Sequence, residues 1–435
     1  MKKDGDERLI MSKFSLVLLF VALALYQVVA QPSSSTSSAT MAASAINSIG
    51  IDLLHATARA DANALLSPYS IETALTMTYA GADGDTKKEM ARVLHLWGEA
   101  EQVASAFQTL QKQLDGIQQR SVAAATEMKK YGATNDPIAL AVANRLFGEK
   151  RYVFRPEFLD LLKTKYGAPL QELDFVKDSA GATKTINGWV EQQTRERIRD
   201  LIPAGALDDL TRLVLVNAVY LKAPWAEHFW EGQTKPLPFH TSGAATVNVP
   251  MMEIQKSFGY GKFSGVTVVS VPYNGGEMQF LIILPDDTNG LAKIEARLTA
   301  EDLDKWAKLP SRDVLLQLPK FKIEPPTLAL GEALQSLGMK TAFDVPSGSA
   351  NFDRMAPRRP NDYLAISKVF HKTFISVDEK GTEAAAATAV AMMTLSAMPE
   401  PPKAVEVKVD HPFLFAIQHR ASGACLFLGH LANLK

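Results

Sequence analysis

Residues 378–396 read Asp-Glu-Lys-Gly-Thr-Glu-Ala-Ala-Ala-Ala-Thr-Ala-Val-Ala-Met-Met-Thr-Leu-Ser, and the fold turns on whether this stretch is a helix or a strand in waiting. Alanine has the highest helix propensity, and Thr382 is placed to cap such a helix. Against that, a β-rich run at 374–377 leads in, and Pro399, Pro401 and Pro402 close the far side. With period two, Thr382, Ala384, Ala386 and Thr388 share one face, all small enough to enter a crowded sheet. Glu383 then falls on the opposite face, in water. An alanine-rich helix and a latent strand both fit the local sequence.

Outward from this stretch, strand signals dominate the second half of the chain. Residues 266–273 and 277–284 are β-rich runs joined by Asn274, Gly275 and Gly276, which tolerate the positive φ of a hairpin turn. Further strands are predicted at 213–221, 314–318, 374–377, 413–417 and 426–429. Helices are predicted from Ser67-Pro68, from Thr86 with Glu89 as a capping box, and from Pro156 to Gly167. The mixture, without regular alternation, gives an α+β body built around sheets. Residues 121–136, polar and ending at Gly132 and Pro137, read as a surface excursion of no assigned role. No linker and no fixed-period repeat divides the body, so one domain is expected over 45–435.

The chain of 435 residues carries 46 Lys plus Arg against 47 Asp plus Glu, with 47% apolar side chains. That balance excludes a basic field for wrapping nucleic acid or coating an acidic membrane. A single cysteine, Cys425, forbids an intramolecular disulfide, so stability must come from a packed core; its own place is that of a small buried apolar side chain. At the N-terminus, residues 16–26 form an apolar run of about eleven, short of the roughly 20 needed to span a bilayer. Val28 and Ala30 set up a cleavage after Ala30, so residues 1–30 read as a secretory signal peptide. Residues 31–44, nearly all Ser, Thr and Ala, read as a flexible tether.

The common enzyme templates fail. The chain contains no G-x-S-x-G elbow, H-E-x-x-H helix, P-loop or G-x-G-x-x-G turn, and its eight histidines are scattered without zinc spacing. The expectation is a protein that is not an enzyme and needs no cofactor or metal.

Glu379-Lys380-Gly381-Thr382-Glu383, followed by Ala384, Ala385, Ala386, Ala387 and Thr388, resembles the hinge of inhibitory serpins. Independent stretches agree over about 45 to the C-terminus. Asn63 to Ile71, with Ser67-Pro68, resembles the start of the family's helix B. Val216-Asn217 to Lys222, with Trp225 and Phe229, resembles the strand and turn beside the sheet opening. Asp410-His411-Pro412-Phe413 and Leu426-Phe427-Leu428-Gly429 resemble the C-terminal strand pair. His430 departs from the arginine many members carry.

The resemblance implies a serpin fold: three β-sheets surrounded by about nine helices, with an exposed reactive-centre loop at about 379–400. It implies a suicide inhibitor. A serine protease acylates on the loop, and the cleaved loop then inserts into the main sheet and traps the covalent acyl-enzyme. A bulky or charged residue on the inward face would stall insertion, and residues 382–388 place none there. Family spacing, fourteen positions beyond Gly381, puts the scissile bond at Leu395-Ser396. Thr388-Ala389-Val390 and Leu395-Ser396-Ala397 resemble the antichymotrypsin bait. Leucine suits the apolar specificity slot of chymotrypsin-like enzymes, with elastase-like or subtilisin-like enzymes second. Ser67, Asn217 and His371 match the family's shutter under the main sheet, and Lys320 with Glu379 matches a pair at the top where insertion begins. The remaining expectations are a secreted monomer, extracellular or periplasmic, off the membrane once the signal is removed. The rival readings are a non-inhibitory carrier or chaperone and a cross-class inhibitor of papain-like cysteine proteases.

Overall fold

The computed structural model describes residues 34–131, 136–243, 245–360, 362–383 and 404–434. The expected signal peptide at 1–30, the expected hinge residues Ala384 to Thr388 and the expected Leu395-Ser396 scissile bond lie outside them.

The fold is α+β, with nine α-helices among the described residues. Among the described residues the main sheet has eight strands. Its centre is the long strand Leu213–Pro224, buried along almost its whole length, which pairs antiparallel with Ala139–Glu149 on one side and parallel with Lys368–Thr373 on the other. Near-continuous apolar runs of this kind suit a sheet covered on both faces. The other strands form a nine-stranded sheet. The 18-residue strand Thr246–Phe263 runs through it, pairing with Lys235–His240 by its first half and with Val266–Pro272 by its second. One unbroken strand therefore fuses two of the three expected sheets into a single hydrogen-bonded unit. The 266–285 hairpin forms, with Gly275 and Gly276 at positive φ.

Helix Pro68–Tyr79 is buried on every residue and lies against the main sheet. Ser67 caps it, its side chain accepting the Ser70 N–H at 3.3 Å. An all-round buried helix needs its end polar groups satisfied internally, and the Ser67 hydroxyl supplies one such partner.

Three local expectations are corrected. The tether expected at 31–44 is helical from Ser34, in a helix running to Thr57. Ala39, Ala42 and Ala43 are buried at helical spacing and continue the stripe of Ile46 and Ile49. Small side chains here serve close packing, not flexibility. The polar excursion at 121–136 is largely the end of helix Ala100–Lys129. The Thr86–Glu89 capping box does not form: helix Gly84–Val93 is preceded by Asp83. Thr86 instead accepts the Asn351 N–H at 3.0 Å, and Glu89 accepts those of Lys340 and Thr341 at 2.8 Å each. Tertiary partners on the 340–351 loop have outcompeted the local cap.

Candidate functional site

The main sheet changes character along its central seam. Below, Val214 to Val219 pair directly with Lys368 to Thr373. Above, the two strands part, and the short strand Gly381–Thr382 lies between them, antiparallel to Ala223-Pro224 on one side and to Val377-Asp378 on the other. The start of the hinge is thus already a sheet strand. Of the two local readings of this stretch, the strand holds as far as Thr382.

Close approach dictates the residue at 381. Gly381 has φ +154°, and a Cβ there would stand 2.2 Å from the Ala223 carbonyl oxygen and 2.7 Å from Pro224 Cα, so only glycine fits. Thr382 is fully buried, its hydroxyl 2.5 Å from that of Tyr273. Glu383 then turns the chain through positive φ, +45°. It is not out in water as its strand parity predicted. The carboxylate pairs with Arg197 at 2.5 Å with only 13% of its side chain exposed. Burial raises its pKa, against the pull of Arg197 and Lys222.

The segment before the hinge is held by a dense set of bonds. Trp225 and Phe229 donate their backbone N–H groups to Lys380 O and Glu379 O, each at 2.9 Å. The Trp225 indole donates to Asp378 O at 2.9 Å and stacks on Tyr273 with centroids 4.7 Å apart. The Glu379 carboxylate meets Lys320 at 2.7 Å and accepts from Thr234 at 2.8 Å. Burial works to raise this carboxyl, but the Lys320 and Thr234 bonds outweigh it and leave the group below the usual range. Lys380 reaches Glu231 at 3.2 Å.

Further down the seam, Ser67, Asn217 and His371 converge in full burial. His371 lies opposite Asn217 in the parallel register. Its Nε2 accepts the Ser67 N–H at 3.1 Å, so its Nδ1–H donates to Asn217 Oδ1. Burial pushes the imidazole pKa down to about 3, so the ring is neutral and acts as a structural link. Ser67 Oγ donates to Leu426 O at 2.7 Å, tying the helix cap to the second sheet. Together these bonds lock the two parallel strands to each other and to the helix beneath them.

The structure adds four residues that sequence reasoning missed. Asn144, opposite Asn217, accepts from Ser70 Oγ at 2.6 Å. Tyr273, Thr234 and Arg197 hold the hinge. Asn144 interrupts the apolar run Ala139 to Ala143 at the middle of its strand, and that break is its one sequence signal. The other three come from distant segments and carry none. No group of His, Cys, Asp or Glu among the described residues is arranged to hold a metal ion. Cys425 is fully buried, and burial raises its thiol pKa.

The arrangement is a sheet able to accept one more antiparallel strand, with the first residues of a candidate strand already docked. Comparisons with known proteins agree. The family model described as Serpin (serine protease inhibitor) matches residues 44–434. Leukocyte elastase inhibitor of Bos taurus is 40% identical over 380 residues, 85% of this chain and 93% of that one. Among solved structures, Serpin48, a highly specific serpin of the insect Tenebrio molitor, is 29% identical with a TM-score of 0.72, covering 93% of this chain and 100% of that one. The thermophilic serpin Tengpin in its native state is 26% identical with a TM-score of 0.75, covering 90% and 94%. With a family match across nearly the whole folded body and the Gly381–Thr382 strand seated at the head of the seam, the chain belongs to the serpin family of serine protease inhibitors.

Proposed function

We propose that this serpin is a secreted suicide inhibitor of chymotrypsin-like proteases, cut at Leu395-Ser396. The observation that carries the reading is Thr382 buried between diverging strands: the inward face of the hinge already occupies the sheet site that insertion would extend. The chemistry is acyl transfer. The protease serine attacks the Leu395 carbonyl, the C–N bond to Ser396 breaks, and the new amine departs with the Ser396 side. Leu395 remains as an ester on the enzyme. Residues from Glu383 onward then extend the Gly381–Thr382 strand down the seam by separating Leu213–Pro224 from Lys368–Thr373. The native state is a kinetic trap for such a rearrangement.

Leu395 supports a chymotrypsin-like target because its side chain fills an apolar slot. An elastase-like target is the second reading, favoured by the relatives named leukocyte elastase inhibitors. The small, uncharged inward face of the hinge, Thr382, Ala384, Ala386 and Thr388, disfavours a purely carrier or chaperone role. Export through the 1–30 leader belongs to the proposal; among the described residues no helix is long and apolar enough to cross a membrane. The test is a gel. Mixed with chymotrypsin, the protein should give a band of summed mass that survives boiling in SDS. Clean cleavage without that band refutes the inhibitory reading.

A further inference from the structure

Helix Ala100–Lys129 outlasts its contact with the body. Its apolar residues from Val103 to Ile117 are buried. Gln118 and Ser121 accept the backbone N–H groups of Leu140 and Ile138, each at 2.8 Å, and Arg120 pairs with Glu277 at 2.5 Å. Beyond Ser121 the contact ends. Val122 and Met128 are each 46% exposed and Tyr131 79%. Ala124, Met128 and Tyr131 stand at i, i+4 and i+7 and share one face of the projecting helix. Glu127 and Lys130 pair at 2.6 Å, which leaves Lys129 as the net charge of this end.

At about 1.5 Å per residue, residues 122–131 rise roughly 15 Å. A helix end of that length has little stability of its own in water, and an apolar stripe along it is wasted unless something covers it.

Its position says what does. The strand Ala139–Glu149 that returns from the overhang begins opposite Lys222, and the next residue, Ala223, pairs with Thr382. The Lys222–Asp136 ion pair at 2.9 Å ties the same corner together. The overhang therefore stands at the pole where the hinge enters the sheet. Because Ala139–Glu149 runs back antiparallel to Leu213–Pro224, the overhang continues in the direction of the latter strand, outward past that pole. The chain leaves the main sheet at Glu383 and enters the second sheet beyond Ala404, as the strand Val405–Lys408, with 20 residues, 384–403, between. An enzyme of protease size, roughly 40 Å across, bound at Leu395-Ser396 is tethered to that pole by the twelve residues beyond Glu383, a reach of at most about 43 Å.

We propose that residues 122–131 form a second contact surface for the protease engaged at the loop. The surface meets an apolar patch beside the enzyme's cleft, with a carboxylate in reach of Lys129. This rests on the inhibitory function proposed above and adds a determinant of target choice outside the bait. Rigid apolar anchors at an interface core carry most of the binding free energy, so the contact speeds capture and leaves the steps after acylation unchanged.

The test is the double variant Met128→Gln, Tyr131→Gln in the full chain, measured against chymotrypsin and against elastase. The second-order rate of complex formation should fall about tenfold with at least one of them, while stoichiometry and melting temperature stay as in the wild type. Rates within twofold of the wild type for both enzymes overturn the proposal. So does a wild-type dimer that the variant dissolves, since a second copy would then cover the face. If the wild type is cleaved without an SDS-stable complex, the inhibitory reading fails, and the ratio of cleavage rates still decides the contact.

Discussion

The hydroxyls of Tyr273 and Thr382 lie 2.5 Å apart inside the opening of the main sheet, one from the hairpin strand of the second sheet and one from the hinge. The bond ties the hinge strand Gly381–Thr382 to the second sheet. Tyr273→Phe removes one partner and leaves the buried Thr382 hydroxyl unpaired, at a cost of about 1–3 kcal/mol. The hinge should then leave the sheet more often. Hydrogen exchange at Gly381 and Thr382 should rise, and the fold elsewhere should be unaffected. Unchanged exchange would mean that backbone pairing alone docks the hinge.

Thr382→Arg tests the inward face directly. A guanidinium cannot occupy a fully buried site without a partner. Insertion after cleavage should stall, and the protease should deacylate and leave. Titration against chymotrypsin should show the moles consumed per mole of enzyme inhibited rising severalfold, with a cleaved product accumulating. Tight one-to-one inhibition by this variant would show that insertion does not use residue 382.

Arg197 and Glu383 meet just where the chain turns out of the sheet, with the arginine half exposed and the glutamate largely covered. Such a pair contributes below about 1 kcal/mol and is screened by salt. Arg197→Ala should therefore raise the inhibition rate modestly by freeing the turn, and the difference from wild type should shrink at high salt. A rate difference that is constant from low to high ionic strength would point to packing by the arginine stem instead.

His371 provides the pH prediction. Its folded pKa is about 3, below the ordinary value of 6.5 that an exposed imidazole retains. Between those values the unfolded state binds the extra proton, so stability from this group is present above pH 6.5 and is lost as the pH falls toward 3. His411 and His430 are shifted up by Asp410 and Glu295 against their burial, and work in the opposite sense. The comparison must therefore be between His371→Gln and wild type. The wild type should lose more stability than the variant between pH 6.5 and 4, measured by denaturant midpoint. Parallel curves would mean that His371 keeps its shutter contacts when charged.

The contacts of Ser67, Asn217 and His371 and the Lys320–Glu379 pair join residues that short sequence motifs single out. The features that escape the sequence depend on separate segments meeting. Residues 381–383 alternate as a strand should, yet Glu383 leaves strand geometry to reach Arg197, almost two hundred positions earlier in the chain. Residues 121–129 resemble a loop in sequence because the apolar stripe of their helix stops at Ile117, where contact with the body stops. Helix propensity continues where burial does not. The reverse holds at Ala39, Ala42 and Ala43, whose small side chains resemble a tether in composition and a tight helix interface in spacing.

Glu72 gives the last prediction. It sits within the fully buried helix Pro68–Tyr79, both carboxylate oxygens without a hydrogen-bond partner, and burial raises its pKa well above the ordinary value of 4.5. The nearby Tyr166 phenol is unpartnered too, and its own pKa is raised by burial, with a smaller contribution from Glu72. A carboxyl left unpaired in an apolar interior costs roughly 1–3 kcal/mol by comparison with mutations in other proteins. A raised folded pKa means that the folded state retains the proton after the unfolded state has lost it. The penalty is therefore absent below pH 4.5 and grows as the pH rises toward the folded pKa. Glu72→Leu should raise the melting temperature of the uncleaved protein, with an advantage that widens from pH 4.5 to neutrality. Because this helix carries the Ser67 cap that holds His371, the gain should fall on the native state and slow loop insertion. A melting temperature equal to wild type at both pH values would mean that Glu72 is already satisfied, and that the strain of the native state lies elsewhere.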